Sequence, residues 1–392
     1  MISPVSTTIA LGTAAREAVR AAADLAIPSG TAIPLRVAEL TAPRVSRLLG
    51  LPDGAVTAVR VLGQDSGTAA RARIEVSGDT GLPPHLFVKL MPRDYLQHVL
   101  MNVFRLGARE VLAYRALGDD PPVRVPRCHL AEIDPARGRC ALILEDLSAT
   151  AQFRTVVDSV TRAEAEAVAD ALADLHAAFW ETGRFTGDLR PLARRSAAEI
   201  QVGDLVRRRF LARITGHCAD LIPESMRDQC RIFYRRSADI DAFWAAQPRT
   251  LIHGDPHLGN LFFEQGRPGF LDWQVATAGP GIRDLAYFAT VSVRPELLRD
   301  IEYALVQRYS DRLAAAGVPA DGERMWTLYR AAITEPFLAM VCTAEAGERM
   351  QPRAVSRVGV ERAVAGVLAH DSFTRLTELI DHLPRRPADI LD

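Results

Sequence analysis

The chain has 392 residues, of which 48% are apolar and 24% charged, and its net charge is −1. This length allows about two domains, and the near-zero charge gives no reason to expect nucleic acid or a membrane as a partner. No apolar run reaches the roughly 18–20 residues of a membrane span, the first 26 residues lack the pattern of a secretory signal, and the five scattered cysteines fit reduced thiols, so we expect a cytoplasmic protein.

The basic residues are unusually uniform. Of 47 basic side chains, 46 are arginine and one is lysine, Lys89. Where arginine is the default surface cation, a single lysine indicates a site that needs a compact point charge and not a planar guanidinium. We therefore expect Lys89 to have a specific role.

The first half of the chain begins with two helices and continues with strands. Residues 1–50 form the helical extension, with a Pro-rich break between its helices, and alternation then predicts three antiparallel strands: Val56–Leu62, Ala70–Val76 and His85–Met91. The first turn contains Ser66 and Gly67, whose backbone N–H groups could bind phosphates. An ordinary hairpin turn is the more frequent explanation of such a segment.

Lys89 lies in the middle of the third predicted strand, between apolar neighbours. A buried lysine needs a partner, and Glu110, on the helical segment that follows, is the candidate. The simpler alternatives are an edge-strand lysine that points to water and a solvated helix glutamate. A strand lysine paired with a helix glutamate is the arrangement with which kinases bind nucleotide phosphates.

Two more strands, Val123–Leu130 and Arg139–Leu147, complete a sheet of about five. Backbone leaving the sheet near Glu145 and Leu147 could pair with an adenine ring. From Thr161, which opens a capping box with Glu164, the chain becomes helical. The pattern therefore predicts an α+β fold, with a nucleotide-binding lobe at 51–147 and a larger helical lobe at 148–392 that carries the catalytic loop and the acceptor site.

The segment Leu251–Trp273 carries the chemistry. Asp255 precedes Asn260 by five positions, and Asp272 follows Asn260 by twelve. In a phosphoryl-transfer site one Asp faces the acceptor hydroxyl, while an Asn and a second Asp hold Mg²⁺ on the nucleotide phosphates. The spacing of these three residues predicts that chemistry here.

With Lys89 and Glu110 added, the chain resembles the aminoglycoside phosphotransferase and choline kinase superfamily, nearest its ecdysteroid-kinase-like subgroup and bacterial relatives. The motifs that carry the resemblance are His253–Asn260, Leu271–Trp273 and Asp284–Ala286. It implies a bilobal protein-kinase-like fold and an ATP- or other NTP-dependent enzyme. It also implies that Asp255 is catalytic, that Asn260 and Asp272 bind Mg²⁺, that Lys89 held by Glu110 binds phosphates, and that His253 and Asp284 support the loop.

Three alternatives were weighed against a small-molecule kinase. A protein kinase is disfavoured because only twelve positions separate Asp272 from Asp284, too few for an activation segment that docks a peptide. A metallohydrolase using His253, Asp255 and His257 would leave Lys89 unexplained. A binding-only relative is disfavoured because all the key residues are present. The Arg excess over residues 186–250 favours a neutral alcohol over an aminoglycoside as acceptor, and the sequence does not indicate an oligomeric state.

Overall fold

The computed structural model describes residues 4–26, 33–66, 69–211, 218–348 and 351–382. Up to residue 153 the helices and strands are α1 (Pro4–Ala26), α2 (Ala42–Leu48), β1 (Val56–Ser66), β2 (Ala70–Gly78), β3 (His85–Leu90), α3 (Tyr95–Val103), α4 (Leu106–Leu117), β4 (Cys128–Asp134), β5 (Arg139–Glu145) and β6 (Gln152–Phe153).

The helices of the rest of the chain are α5 (Arg162–Ala178), α6 (Arg190–Ala193), α7 (Ala197–Leu211), α8 (Glu224–Arg235), α9 (Ser237–Ala245), α10 (Ile282–Ser292), α11 (Pro295–Ala315), α12 (Gly322–Ala332), α13 (Thr334–Ala346), α14 (Arg353–His370) and α15 (Ser372–Asp381). Its strands are β7 (Thr250–Ile252), β8 (Leu261–Glu264), β9 (Arg267–Phe270) and β10 (Thr277–Gly279).

The described chain divides into two compact units. The first unit lies within residues 1–153, 183–206 and 260–277, and the second within 154–182, 207–259 and 278–392. Among the described residues, no helix is both long and apolar enough to span a membrane.

The first unit is built on a five-stranded antiparallel sheet in the order β1-β2-β3-β5-β4. Alternate residues of the strands bury one apolar face, as the two-residue period predicts. The buried strand residues of this core are Val56, Ala72, Ile74, Val76, Leu86, Val88, Leu90, Ala141 and Ile143. Because Lys89 lies between Val88 and Leu90, its side chain projects from the opposite face of the sheet.

The N-terminal helix is tied to this sheet by a buried ion pair. Nε of Arg139, at the start of β5, lies 2.8 Å from Oδ2 of Asp24 near the end of α1, and both side chains are 1% exposed. The guanidinium also donates to the carbonyl oxygen of Ile33 at 2.9 Å. Because both charges are buried, loss of either would be costly, so this pair fixes α1 on the first unit.

The second unit is mostly helical. Leu298, Ile301, Leu305 and Tyr309 of α11 are buried, and their spacing of three or four residues places them on one face of the helix. Phe373 of α15 makes edge-to-face contacts with Phe233 and Phe337. The aromatic contacts thus join α15 to α8 and α13.

Three details differ from the sequence prediction. β1 continues to Ser66, because its pairing with β2 extends to Ser66 opposite Ala70, so residues 63–66, expected in the first turn, are extended. β4 starts at Cys128 and not at Val123. The helical pattern of residues 325–344, which contains Pro336, predicts one kinked helix, but α12 ends at Ala332 and Pro336 lies in the first turn of α13, where a missing N–H costs little.

Candidate active site

Lys89 is the centre of a charge cluster in the first unit. Its Nζ lies 2.6 Å from Oε1 of Glu110 and 3.2 Å from Oδ1 of Asp272. The lysine is 8% exposed and Glu110, on α4, is 2% exposed. The structure therefore brings together three of the residues predicted from the sequence, and Lys89 is not an edge-strand lysine in water.

The two buried partners perturb each other. Burial lowers the pKa of Lys89, but the charges of Asp272 and Glu110 outweigh burial and raise it above its usual value. Burial raises the pKa of Glu110 to about 7, although the Lys89 ammonium opposes that shift. A permanently charged lysine held between two carboxylates is suited to bind an anionic phosphate group.

Helix α4 is held in place by the residue next to Glu110. Arg109 donates to the carbonyl oxygen of Ala276 at 3.2 Å and to Glu199 at 2.9 Å, and both charged side chains are buried. Glu199 also forms a capping box with Ser196, whose N–H donates to the carboxylate at 2.6 Å. The prediction missed this anchor, although the Ser-x-x-Glu spacing was a visible signal for part of it.

The hairpin β8–β9 explains the separation of Asn260 from Asp272. Leu261 pairs with Phe270, so Asn260 and Leu271 lie at the same open end of the hairpin, and Leu271 N–H donates to the Asn260 carbonyl at 2.8 Å. Asp272 follows at once, with a left-handed backbone at φ 59° that is unusual for a residue other than glycine. A tight hairpin thus converts a twelve-residue spacing into spatial proximity.

These two residues fit a magnesium ion. Mg²⁺ takes oxygen ligands, and it is commonly held by one or two carboxylates together with the phosphates of a substrate. Asp272 keeps 28% of its side chain exposed while Lys89 contacts one of its oxygens. Asp272, with the Asn260 amide oxygen, is therefore the donor set that would hold the ion.

The predicted catalytic loop, residues 253–259, belongs to the second unit and begins directly after β7. The N–H groups of His253 and Gly254 donate to the two carboxylate oxygens of Asp284, at 2.6 and 2.9 Å. Gly254 has φ +84°, a backbone conformation that favours glycine. His253 is fully buried, and its Nδ1 accepts the Asp255 N–H at 3.3 Å. Asp284 and His253 thus occupy positions suited to supporting this loop.

A second histidine completes the support. Nε2 of His176, on α5, lies 3.3 Å from Oδ2 of Asp284, and its Nδ1 lies 2.9 Å from the Tyr309 hydroxyl. Burial alone would raise the pKa of Asp284, but the hydrogen bond and charge of His176 keep it below its ordinary value. Its place in the helical pattern that begins at Thr161 predicts only a core or capping role for His176, and the helical pattern of α11 predicts only an inward-facing position for Tyr309.

The carboxylate of Asp255 has two neighbours in the second unit. Burial, and then the charge of Asp255, raises the pKa of Tyr287 on α10 well above its ordinary value, and Nε2 of His257 lies 3.6 Å from Oδ2 of Asp255. Asp255 nevertheless keeps 32% of its side chain exposed, so a small molecule can reach it. Tyr287 was not predicted, although it lies one helical turn after Asp284 and therefore on the same side of α10.

The structure describes only some of the residues predicted to contact the nucleotide. Gly67 lies outside the described residues, and only the backbone of Ser66 is described, at the end of β1. The Glu145 carboxylate accepts hydrogen bonds from both terminal nitrogens of Arg124 at 3.0 Å. The backbone N–H of Glu145 donates to the Arg127 carbonyl. The Leu147 carbonyl accepts two N–H groups, from Thr150 and Ala151. These main-chain groups are therefore engaged within the protein, and pairing with adenine stays a prediction.

The metallohydrolase alternative has no geometric support. Within the described ranges, no group of three or more His, Cys, Asp or Glu side chains is arranged to hold a metal ion. Nδ1 of His253 and of His257 each accepts a backbone N–H, from Asp255 and Gly259 respectively. Both histidines therefore take part in hydrogen bonds within the loop.

Comparison with known proteins gives a family match. The sequence model of the phosphotransferase enzyme family (APH) matches residues 64–324, about two thirds of the chain. Among curated proteins, the N-acetylmuramate/N-acetylglucosamine kinase of Neisseria meningitidis serogroup B is 39% identical over 77 residues. That alignment covers 19% of this chain and 22% of the relative, so the chain spans about a fifth of the relative's length.

Two solved structures are similar over most of the chain. Choline kinase LicA from Streptococcus pneumoniae is 18% identical, with 83% of this chain and 96% of that chain covered and a TM-score of 0.45. The gentamicin complex of APH(2")-IIa is 14% identical, with coverages of 79% and 91% and a TM-score of 0.47. The family match confirms the predicted superfamily, the strands and helices confirm the α+β fold class, and the ecdysteroid-kinase-like subgroup stays a prediction.

Proposed function

Because this chain belongs to the phosphotransferase enzyme family, we propose that it transfers the γ-phosphate of ATP, or of another nucleoside triphosphate, to a hydroxyl group of a small molecule. The observation that carries the proposal is the buried Lys89, whose ammonium lies 2.6 Å from Glu110 and 3.2 Å from Asp272. A cytoplasmic location, where nucleotides are available, is part of the proposal.

The roles follow from the chemistry of phosphoryl transfer, in which the protein mainly positions groups and neutralises negative charge. Lys89 binds the nucleotide phosphates, and Glu110 keeps its ammonium in place. Asn260 and Asp272 would hold Mg²⁺, which would supply positive charge to the phosphate oxygens when bound. Asp255 orients the acceptor hydroxyl for attack.

We infer a neutral hydroxylated compound as the acceptor. The segment 186–250 has more Arg than Asp and Glu together, which does not favour a polycationic aminoglycoside. The similarity to an N-acetylmuramate/N-acetylglucosamine kinase supports including amino sugars among the candidates. The acceptor is thus a small alcohol of low charge.

A transfer assay tests the proposal. The purified protein is incubated with MgATP and a panel of aminoglycosides, macrolides, choline, sugars, amino sugars and sterols, and ADP release and the phosphorylated product are measured. Asp255→Ala is expected to abolish turnover while leaving MgATP affinity within a few-fold. Normal turnover by Asp255→Ala would contradict the assigned mechanism.

The same preparation distinguishes an enzyme from a binding-only relative. A ligand that binds only the folded state raises its unfolding midpoint, so MgATP should raise the Tm of the wild-type protein. If MgATP raises the Tm but no ADP is formed, whether a candidate acceptor or only water is present, the result would support the binding-only alternative.

A further inference from the structure

We infer that Ser292, the last residue of α10, is a positioning residue that holds the second half of the predicted catalytic loop for phosphoryl transfer. The inference rests on the proposed function, since it concerns the loop that carries Asp255. It adds to Asp284 a second point at which the same helix holds this loop.

The Ser292 hydroxyl accepts a hydrogen bond from the loop backbone. Its Oγ lies 2.9 Å from the nitrogen of Leu258, and both residues are fully buried. A buried N–H group that lacks an acceptor is costly, so the loop is most stable where Leu258 reaches this hydroxyl. The bond therefore fixes the position of Leu258 beside the end of α10.

Two side chains of one helix hold the two ends of the loop. The Asp284 carboxylate accepts the first two N–H groups of the loop, at 2.6 and 2.9 Å, and Ser292 accepts that of Leu258. Asp284 and Ser292 are eight residues apart on α10, which corresponds to a rise of about 12 Å along a helix. Asp255 lies in the chain between these two points, so its position depends on both.

The other backbone N–H groups of the loop are bonded within it. Nδ1 of His253 and of His257 accept the N–H groups of Asp255 and Gly259, and the Asp255 carbonyl accepts that of His257. Pro256 has no N–H group. These local bonds shape the loop but do not attach it to another element, whereas the bonds to α10 do.

The end of α10 that carries Ser292 is itself held by Arg362 of α14. This guanidinium is 7% exposed and donates to the carbonyl oxygens of Val291, Val156 and Asp158, at 2.8, 2.8 and 2.9 Å. The last carbonyl groups of a helix lack partners within the helix, and a cation beside them is favourable. Ser292 therefore stands on a helix end that is fixed in place, as a positioning contact requires.

The alternative is that Ser292 only stabilises the fold, in which case its loss lowers stability and leaves turnover unchanged. Ser46 provides a matched control for this alternative. It is also a fully buried helix serine, on α2 of the first unit, and its Oγ accepts the Val56 N–H at 3.2 Å. Ser46→Ala therefore removes the same kind of bond at a place that has no part in the proposed transfer.

The test compares Ser292→Ala and Ser46→Ala in Tm, kcat and KM for MgATP, with the acceptor found in the screen or with water as acceptor. Both variants should have a lower Tm, because each leaves a buried N–H group without its acceptor. Only Ser292→Ala should lower kcat, by about tenfold, since small displacements of a reacting group slow the reaction strongly. KM for MgATP should stay within about twofold of the wild-type value, because neither bond involves Lys89 or Glu110.

Two results would overturn the inference. One is a kcat of Ser292→Ala equal to that of the wild type, and the other is an equal loss of kcat in Ser46→Ala, since turnover would then follow stability. If Ser292→Ala does not fold, Ser292→Cys decides, because a thiol fills the site but accepts a hydrogen bond only weakly. Its kcat should be below that of the wild type, and an unchanged kcat would equally overturn the role of Ser292.

Failure of the inference is distinguishable from failure of the proposed function. A wild-type protein that forms no ADP with any acceptor or with water refutes the proposed function and this inference with it. An active wild type with an unaffected Ser292→Ala refutes only the inference.

Discussion

His176 and Asp284 form a fully buried pair, with Nε2 of the imidazole 3.3 Å from Oδ2 of the carboxylate. The carboxylate accepts the N–H groups of His253 and Gly254, and Nδ1 of the imidazole lies 2.9 Å from the Tyr309 hydroxyl. Because the Asp284 carboxylate can only accept, Nε2 of His176 carries the proton of this bond, while Nδ1 is paired with the Tyr309 hydroxyl. A chain of buried hydrogen bonds therefore runs from α11 to the backbone of the catalytic loop.

Replacing Asp284 should change stability in a pH-dependent way. Its pKa in the folded protein lies below the ordinary 3.8, so its contribution is present above pH 3.8 and is lost as the pH falls through the folded value. We expect Asp284→Asn to cost about 2–4 kcal/mol in the free energy of unfolding at pH 7. That deficit should shrink only below about pH 4.

Urea unfolding between pH 3 and 7 measures this effect. Asp228→Asn is the control, because that carboxylate is 66% exposed and pairs only with Arg231 on the surface. A deficit that stays constant down to pH 3 would contradict the lowered pKa of Asp284.

Arginine is the residue at every other Lys or Arg position of the chain, but Lys89→Arg should reduce activity. Lys89→Arg puts a larger planar cation into a site where Nζ lies 2.6 Å from Glu110. We expect kcat/KM for MgATP to fall at least about tenfold, a loss of about 1.4 kcal/mol in transition-state stabilisation. The measurement is steady-state kinetics at saturating acceptor.

The reverse exchange provides the control for position 89. Arg60 is 69% exposed, and Arg60→Lys should leave kcat/KM unchanged. A Lys89→Arg enzyme with wild-type kinetics would show that the single lysine has no special role.

Gly281 is required for space and not for backbone freedom. Its φ is −58°, which any residue can adopt, but an added Cβ would lie 2.4 Å from the Tyr309 hydroxyl and 2.6 Å from Nδ1 of His176. Gly281→Ala should therefore cost about 1–3 kcal/mol of stability and lower kcat by displacing the His176–Tyr309 bond. Thermal unfolding and kcat are compared with Gly183→Ala, where an added Cβ meets nothing within 4 Å, and equal behaviour of the two variants would argue against this packing.

The cap of α5 should affect stability and not chemistry. Thr161 and Glu164 form a capping box, and a hydrogen bond from Arg154 helps to lower the pKa of Glu164 to about 2. Thr161→Ala is expected to cost about 1 kcal/mol in unfolding free energy with kcat unchanged. Thr327→Ala, within α12, serves as control, and a loss of kcat without a loss of stability would point to a different role for Thr161.

Much of the fold and of the candidate site followed from local pattern. The two-residue period between Val56 and Met91 predicted three strands, and the Thr161–Glu164 pattern predicted the start of a helix. The sequence did not predict that β3 lies beside β5, with β4 at the edge. Periodicity shows which face of a strand is buried, whereas the order of strands depends on which faces pack together.

The sequence by itself determined the candidate site: a single lysine, a helix glutamate, and an Asp, an Asn and a second Asp at fixed spacing. Only the tertiary structure decided what holds these elements, namely Arg109 on Ala276 and Glu199, and His176 on Asp284. The residue types of the candidate site are recognisable in the sequence because phosphoryl transfer needs particular charges and oxygen ligands. Their supports are ordinary Arg and His residues, whose partners lie about 90 to 170 positions away, and only packing brings such residues within hydrogen-bond distance.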